Sequence, residues 1–261
     1  MALMREQLKA TTRKLFHRLG FEITRMRPGY HWVPDIYGRS AHKLADVRGN
    51  EPFASLARQV IDSGKTLLYF DRLHILYQAI NTVAGRLESH ETLTMMEVGV
   101  YKGGGSSFFA SVAETLAPHR VKAFAVDTFE GHSGRDINGS EGAHRPNDNF
   151  SDTSADGVKS YLARWPFIQV LPGRIQDFQQ QLARERFHFI HLDVDIYAPT
   201  RHVLDVYSER LVPGGIIVVD DFGFETCPGI KQAVGEFAER ANKNFSLLEL
   251  PSGQCLINKI A

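Results

Sequence analysis

The sequence predicts an α/β protein: a doubly wound, mostly parallel, Rossmann-like sheet of seven strands, preceded by an N-terminal helical and loop lid. Three observations carry that prediction. Short, continuously apolar runs alternate with helical segments from Thr94 onward, the pattern of buried parallel strands joined by right-handed crossovers. A glycine-rich turn, Gly99 to Gly105, joins the first of those runs to the first of those helices. The last two runs are separated only by Pro251-Ser252-Gly253, so one of them adds antiparallel.

In chain order, "MALMREQLKATTRKLFHRLGF" is basic with a weak helical stripe, and its apolar residues never run long enough for a signal peptide or a membrane span. "MRPGYHWVPDIYGRS" reads as an irregular flap, because Tyr30, Trp32 and Tyr37 need something to cover them. "PFASLARQVID" and "YFDRLHILYQAINTVAGRL" have helical spacing, the second through Leu73, Leu76, Ile80, Val83 and Leu87. The expected division is a lid over residues 1–65 and the main domain over 66–261. Within that domain "TMMEVGV", "VKAFAV", "IQVL", "FHFIHL", "GIIVV", "FSLLEL" and "CLINKI" read as the strands. "SSFFASVAETLA", "DGVKSYLARW", "IQDFQQQLA", "TRHVLDVYSERL" and "GIKQAVGEFAERA" read as the helices between the first six of them.

Length and composition agree with one large domain plus an appendage: 261 residues, 43% hydrophobic and 23% charged. Lys+Arg and Asp+Glu both count 30, which argues against nucleic acid or an anionic membrane as partner. A small molecule is the expected partner, and a homo-oligomer is compatible with the composition. The two cysteines, Cys227 and Cys255, make no CxxC pattern and no disulfide scaffold, so a reduced cytoplasm is the simplest location.

The carboxyl ends of doubly wound strands share one edge, and ligands sit in the crevice there. Gly99, Gly103, Gly104 and Gly105 let the backbone approach a ligand, and the helix that starts at Ser106 offers N–H groups to an anion. Neither G-x-G-x-x-G nor a P-loop is present, so the loop is no dinucleotide or nucleotide fingerprint. Asp127 ends the second strand where a ribose diol is commonly gripped. Together they imply a nucleoside-bearing cofactor whose other end is an anion.

Asp193 follows one strand, and Asp220 and Asp221 follow the next. Ionised carboxylates a few Å apart in a cleft cost several kcal/mol unless a cation joins them, and oxygen-only ligands favour a hard divalent ion, Mg²⁺ first. Asp195 either joins this site or organises the helix entry near Pro199 and Thr200. For Asp221 the other reading is a solvated loop acid. His191, inside a strand, reads as a hydrogen-bonded core residue; His132 and His144, in the long loop after the second strand, read as surface residues or as lining of the acceptor site.

"MEVGVYKGGGS", "VDTFEG", "HLDVDIYAPT" and "VPGGIIVVDDFGFETCPGIKQAV", in this order, resemble the macrocin O-methyltransferase family from about Thr66 to the end. The resemblance implies the class I S-adenosylmethionine-dependent methyltransferase fold and transfer of a methyl group to a sugar hydroxyl of a glycosylated natural product. It implies Asp193, Asp220 and Asp221 as ligands of Mg²⁺ or another divalent ion, with Asp193 and Asp195 as candidates for the base. It matches Glu97 to the family's glycine-loop acid and Asp127 to its ribose acid; the expected cofactor-binding residues are Glu97, Gly99, Gly103, Gly104, Ser106, Asp127, Thr128 and Asp177. Glu97 would face the methionyl amino group or position the loop. Where the family has Asp-Gly-Asp-Met-Tyr, this chain has Asp193-Val194-Asp195-Ile196-Tyr197, so the acceptor sugar does not carry over. The alternative is a metal-dependent sugar-nucleotide glycosyltransferase using Asp193-Val194-Asp195, which leaves the glycine loop and Asp220-Asp221 without a role.

Overall fold

The computed structural model describes residues 12, 15, 16, 18, 19, 47–132 and 150–260; the flap around Tyr30 and Trp32, and His144, lie outside them. The chain divides into two compact units, Met1–Ala45 and Asp46–Ala261. In the first, Thr12, Leu15, Phe16 and Arg18 have helical backbone. The second begins ahead of the expected boundary after residue 65, because helix α1 (Phe53–Asp62) packs into it: Phe53 meets Phe108 edge-on at 6.4 Å between ring centroids.

Seven strands form one sheet: β1 (Leu93–Val98), β2 (Val121–Asp127), β3 (Ile168–Pro172), β4 (Phe187–Leu192), β5 (Leu211–Val219), β6 (Phe245–Glu249) and β7 (Cys255–Lys259). Their order is β3-β2-β1-β4-β5-β7-β6, and only β7 runs against its neighbours. The antiparallel addition expected at the end of the chain is therefore β7, inserted between β5 and β6. Besides α1, the helices are α2 (Phe70–Ala84), α3 (Gly104–Leu116), α4 (Ala155–Leu162), α5 (Tyr197–Val206) and α6 (Pro228–Arg240).

Strand alternation sends neighbouring side chains to opposite faces, and each face has its own core. Met95, Phe189, Ile216 and Val218 pack with Phe53, Leu73, Leu76, Ile80 and Phe108 of α1, α2 and α3. Met96, Ile190, Ile217 and Val219 pack with Val203 and Leu204 of α5 and Ile230 and Val234 of α6. Cys227 and Cys255 are both buried as thiols.

Two elements differ from the sequence reading. "IQDFQQQLA" makes only a 3₁₀ turn, Ile175–Phe178: Ile175 and Leu182 are its buried anchors, and the glutamines between them offer no further apolar face to hold an α-helix. The segment after β4 becomes helical earlier, at Tyr197, and stops at Val206, so that β5 starts at Leu211 rather than Gly215. The added length is an irregular stretch through Pro213-Gly214-Gly215, where the β4–β5 register shifts and Gly214 takes φ +76°.

Candidate active site

The register of three central strands assembles the site. Val98 pairs with Leu192, and Leu192 with Val219, so Gly99, Asp193 and Asp220 leave the sheet at one level. One step back, Glu97 and His191 are paired and share a face. Gly99 is glycine because the chain of Asp193 crosses it: a Cβ there would stand 1.7 Å from the Asp193 carbonyl oxygen, and its φ is +92°. Along this edge runs a cleft of about 300 Å³, lined by Gly99, Gly105, Asp127, Thr128 and Arg174 from the segments after β1, β2 and β3 and by Arg72, Asp193, Asp195 and Asp221.

The glycine-loop side of the cleft is built largely from backbone. Gly103 caps α3 in the left-handed region, and Gly104 donates its N–H to the Lys65 carbonyl at 3.2 Å, so one helix-start donor is already taken. A Cβ on Gly104 would stand 2.5 Å from that oxygen, and one on Gly105 2.0 Å from Glu97 Oε1. Glu97 is buried; its Oε2 accepts from Ser106 Oγ, and its Oε1 lies 3.1 Å from His191 Nδ1. Ser106 therefore secures Glu97 under the loop. Asp127 Oδ2 accepts the N–H groups of Val100 (2.7 Å) and Tyr101 (2.8 Å), and Oδ1 accepts that of Phe129 (2.7 Å). A carboxylate has about four acceptor positions, which leaves room for a ribose hydroxyl. Thr128 lines the cleft while bonding Gly131 O at 2.9 Å, and Asp177 spends Oδ2 on the Arg174 N–H at 3.2 Å, capping its own turn.

The acidic half contains a residue that the sequence reading missed. Arg72, at the start of α2, donates from Nη1 to Asp220 Oδ2 at 3.1 Å and from Nη2 to Asp221 Oδ1 at 2.9 Å. Its sequence signal is a cation on the buried face of an amphipathic helix, one turn before Leu76 and two before Ile80. His191 is more than a core residue: it stands between Glu97 and Asp220, with Nε2 3.8 Å from Asp220 Oδ2, too long for a hydrogen bond but near enough for charge attraction. Burial alone would depress its pKa; Asp220, Glu97 and Asp193 outweigh that and hold it up to about 10.

The acids fall into two adjoining groups. Asp193 and Asp220 gather with His191, and Asp221 gathers with Asp195 and Cys227. His132 Nε2 reaches Asp195 Oδ2 at 3.4 Å. Burial, then the charge of Asp220, raises the Asp193 pKa well above the carboxylate range, against the pull of His191. Asp221 is pushed up to about 7 by burial and by its hydrogen bond and proximity to Asp195, with Arg72 pulling the other way. Asp220 is buried, and among the described residues its Oδ1 has no hydrogen-bond partner. Each group sets two carboxylates beside a nitrogen of His191 or the sulfur of Cys227; their carboxylate oxygens, Asp220 Oδ1 among them, suit a hard divalent ion.

The seven-stranded sheet, glycine loop and carboxyl-edge cleft define a class I S-adenosylmethionine-dependent methyltransferase fold. The O-methyltransferase NovP shares it with a TM-score of 0.65 at 20% identity, over 76% of this chain and 83% of that one. An O-methyltransferase from Bacillus cereus, solved in complex with SAH, shares it with a TM-score of 0.53 at 14% identity, over 88% and 98%. Within that class the chain belongs to the Macrocin-O-methyltransferase (TylF) family, whose model it matches over residues 26–250. It is similar to the 8-demethyl-8-(2,3-dimethoxy-α-L-rhamnosyl)-tetracenomycin-C 4′-O-methyltransferase of Streptomyces olivaceus, with 26% identity over 219 residues, 80% of this chain and 82% of that protein. It is also similar to the mycinamicin III 3″-O-methyltransferase of Micromonospora griseorubida, with 24% identity over 166 residues, 60% and 64%. The protein is thus an S-adenosylmethionine-dependent O-methyltransferase, which replaces the glycosyltransferase alternative. No described helix is long and apolar enough to cross a membrane.

Proposed function

We propose that the protein methylates a sugar hydroxyl of a glycosylated small molecule, with a divalent ion held by Asp193, Asp220 and Asp221. The observation that carries this reading is the buried, unpartnered Asp220 Oδ1 behind two acids with raised pKa values, Asp193 and Asp221, that line the cleft. The activities of these two relatives, methyl transfer onto rhamnosyl-tetracenomycin and onto mycinamicin III, support a glycoside as acceptor.

Bound there, the ion would lower the pKa of the acceptor hydroxyl. The chain's own residues do the rest. The Gly99–Gly105 turn and Asp127 would fix the cofactor's methionyl and ribose ends, and Glu97, clamped by Ser106 and His191, holds that turn in shape. Asp193 would help hold the ion, which leaves Asp195, on the cleft wall between Asp221 and His132, to accept the hydroxyl proton. Holding oxygen and methyl carbon in line at contact distance supplies the remaining gain, which positioning alone can raise to roughly 7–11 kcal/mol.

The test is methyl transfer from labelled S-adenosylmethionine before and after chelation. EDTA should abolish it and Mg²⁺ restore it, and Asp220→Asn should lower it about 100-fold, the upper range for a ligand's supporting group, while SAH still binds. Transfer indifferent to EDTA and to Asp220→Asn removes the ion from the mechanism.

A further inference from the structure

We infer that Arg72 is a positioning residue that sets which divalent cation the acidic site accepts, favouring a small octahedral ion such as Mg²⁺ over a larger one such as Ca²⁺. The inference rests on the metal reading above and adds selectivity to it. The guanidinium fork takes one oxygen from each of two successive acids, Oδ2 of Asp220 and Oδ1 of Asp221. Each acid has one oxygen held toward Arg72 and a single oxygen clear of it, so turning the carboxylate to face an ion with both oxygens draws the first off the guanidinium and loosens an ion pair buried to about nine-tenths. Breaking a buried pair is costly, because it leaves an uncompensated charge.

That constraint separates the two cations. Mg²⁺ takes six ligands at roughly 2.0–2.1 Å, usually keeps waters, and accepts one oxygen from each carboxylate. Ca²⁺ takes six to eight ligands at roughly 2.3–2.6 Å and gains much of its coordination from carboxylates that offer both oxygens. Asp220 cannot swing to do so: its side chain is fully enclosed, with Oδ2 facing Arg72 and His191. The guanidinium is itself pinned, its central carbon 4.6 Å from the centre of the Phe224 ring, which covers it from the cleft rim. A lysine at position 72 would supply the same charge as a point, without the planar fork that binds two carboxylates at once. Selectivity therefore comes from geometry and not from net charge.

Calorimetric titration of the full chain with MgCl₂ and, separately, CaCl₂ tests this. The unaltered protein should bind Mg²⁺, and Arg72→Gln and Arg72→Lys should each move the Mg²⁺:Ca²⁺ affinity ratio toward Ca²⁺ by about tenfold, the lower range for a residue that orients metal ligands. Phe224→Ala, at a half-exposed position where folding is not at stake, should move it the same way by a smaller factor. A ratio unchanged in all three variants, or restored to the original value by Arg72→Lys, overturns the inference and leaves the metal reading standing. Failure of the unaltered protein to bind either ion overturns both.

Discussion

Asp195 and Asp221 both adopt left-handed backbone, φ +61° and +55°, a conformation that Asp tolerates better than most residues at a cost of about 1–2 kcal/mol. The strain turns two carboxylates from different strands toward each other at the cleft. Asn tolerates the same backbone, so Asp195→Asn removes charge and basicity with little conformational change. It should lower kcat by about 10²–10⁴-fold with SAH binding unaltered; an unchanged kcat would take the base role from Asp195. At this scale the acids were legible in the sequence because Asp193, Asp220 and Asp221 each terminate an apolar run. Arg72 was not: its partners stand 148 and 149 residues away, and no local pattern pairs an early helix with a late strand end.

Among the elements, two glycines of ordinary appearance in the sequence have opposite roles. Gly99→Ala forces a Cβ onto the Asp193 backbone and should cost about 3 kcal/mol or more in urea unfolding. Gly235, on the exposed side of α6, has nothing within 4 Å of its Cβ position, and Gly235→Ala should stabilise by about 0.5–1 kcal/mol. In β4, His188 Nδ1 accepts the Thr94 N–H at 3.2 Å, and burial pushes its pKa below the ordinary imidazole value against the charge of Glu91. Below about pH 6.5 the unfolded chain takes up a proton that the folded chain refuses, so stability falls as pH drops through that value. His188→Gln should flatten this part of the pH–stability curve; a slope identical to that of the unaltered protein would show that His188 titrates alike in both states. Element type was legible where an apolar stripe was long, as in α2 and α6. It failed at the polar Gln179-Gln180-Gln181, where nothing apolar sustains a helix, and at Pro213-Gly214-Gly215, where a strand continues through residues that usually end one.

Over the whole molecule, alternating apolar runs and helices were enough for a doubly wound sheet, and the Pro251-Ser252-Gly253 turn for its antiparallel end. The strand order, with β7 slipped between β5 and β6, brings the ends of β1, β4 and β5 together; this is why acids far apart in sequence share one cleft. The acceptor was less legible. The cleft is lined near the acids by Leu67, Tyr69 and Phe224, exposed apolar side chains that carry no motif, and Val194 stands where the family has glycine. Labelled S-adenosylmethionine and Mg²⁺ offered with a panel of deoxysugar glycosides and their free aglycones, the new methyl group then located by NMR, show which hydroxyl the enzyme methylates. An O-methyl group on a sugar ring carbon and none on the free aglycone is the expected result; a methyl group on the aglycone, with the sugar untouched, would rule out a sugar hydroxyl as the acceptor.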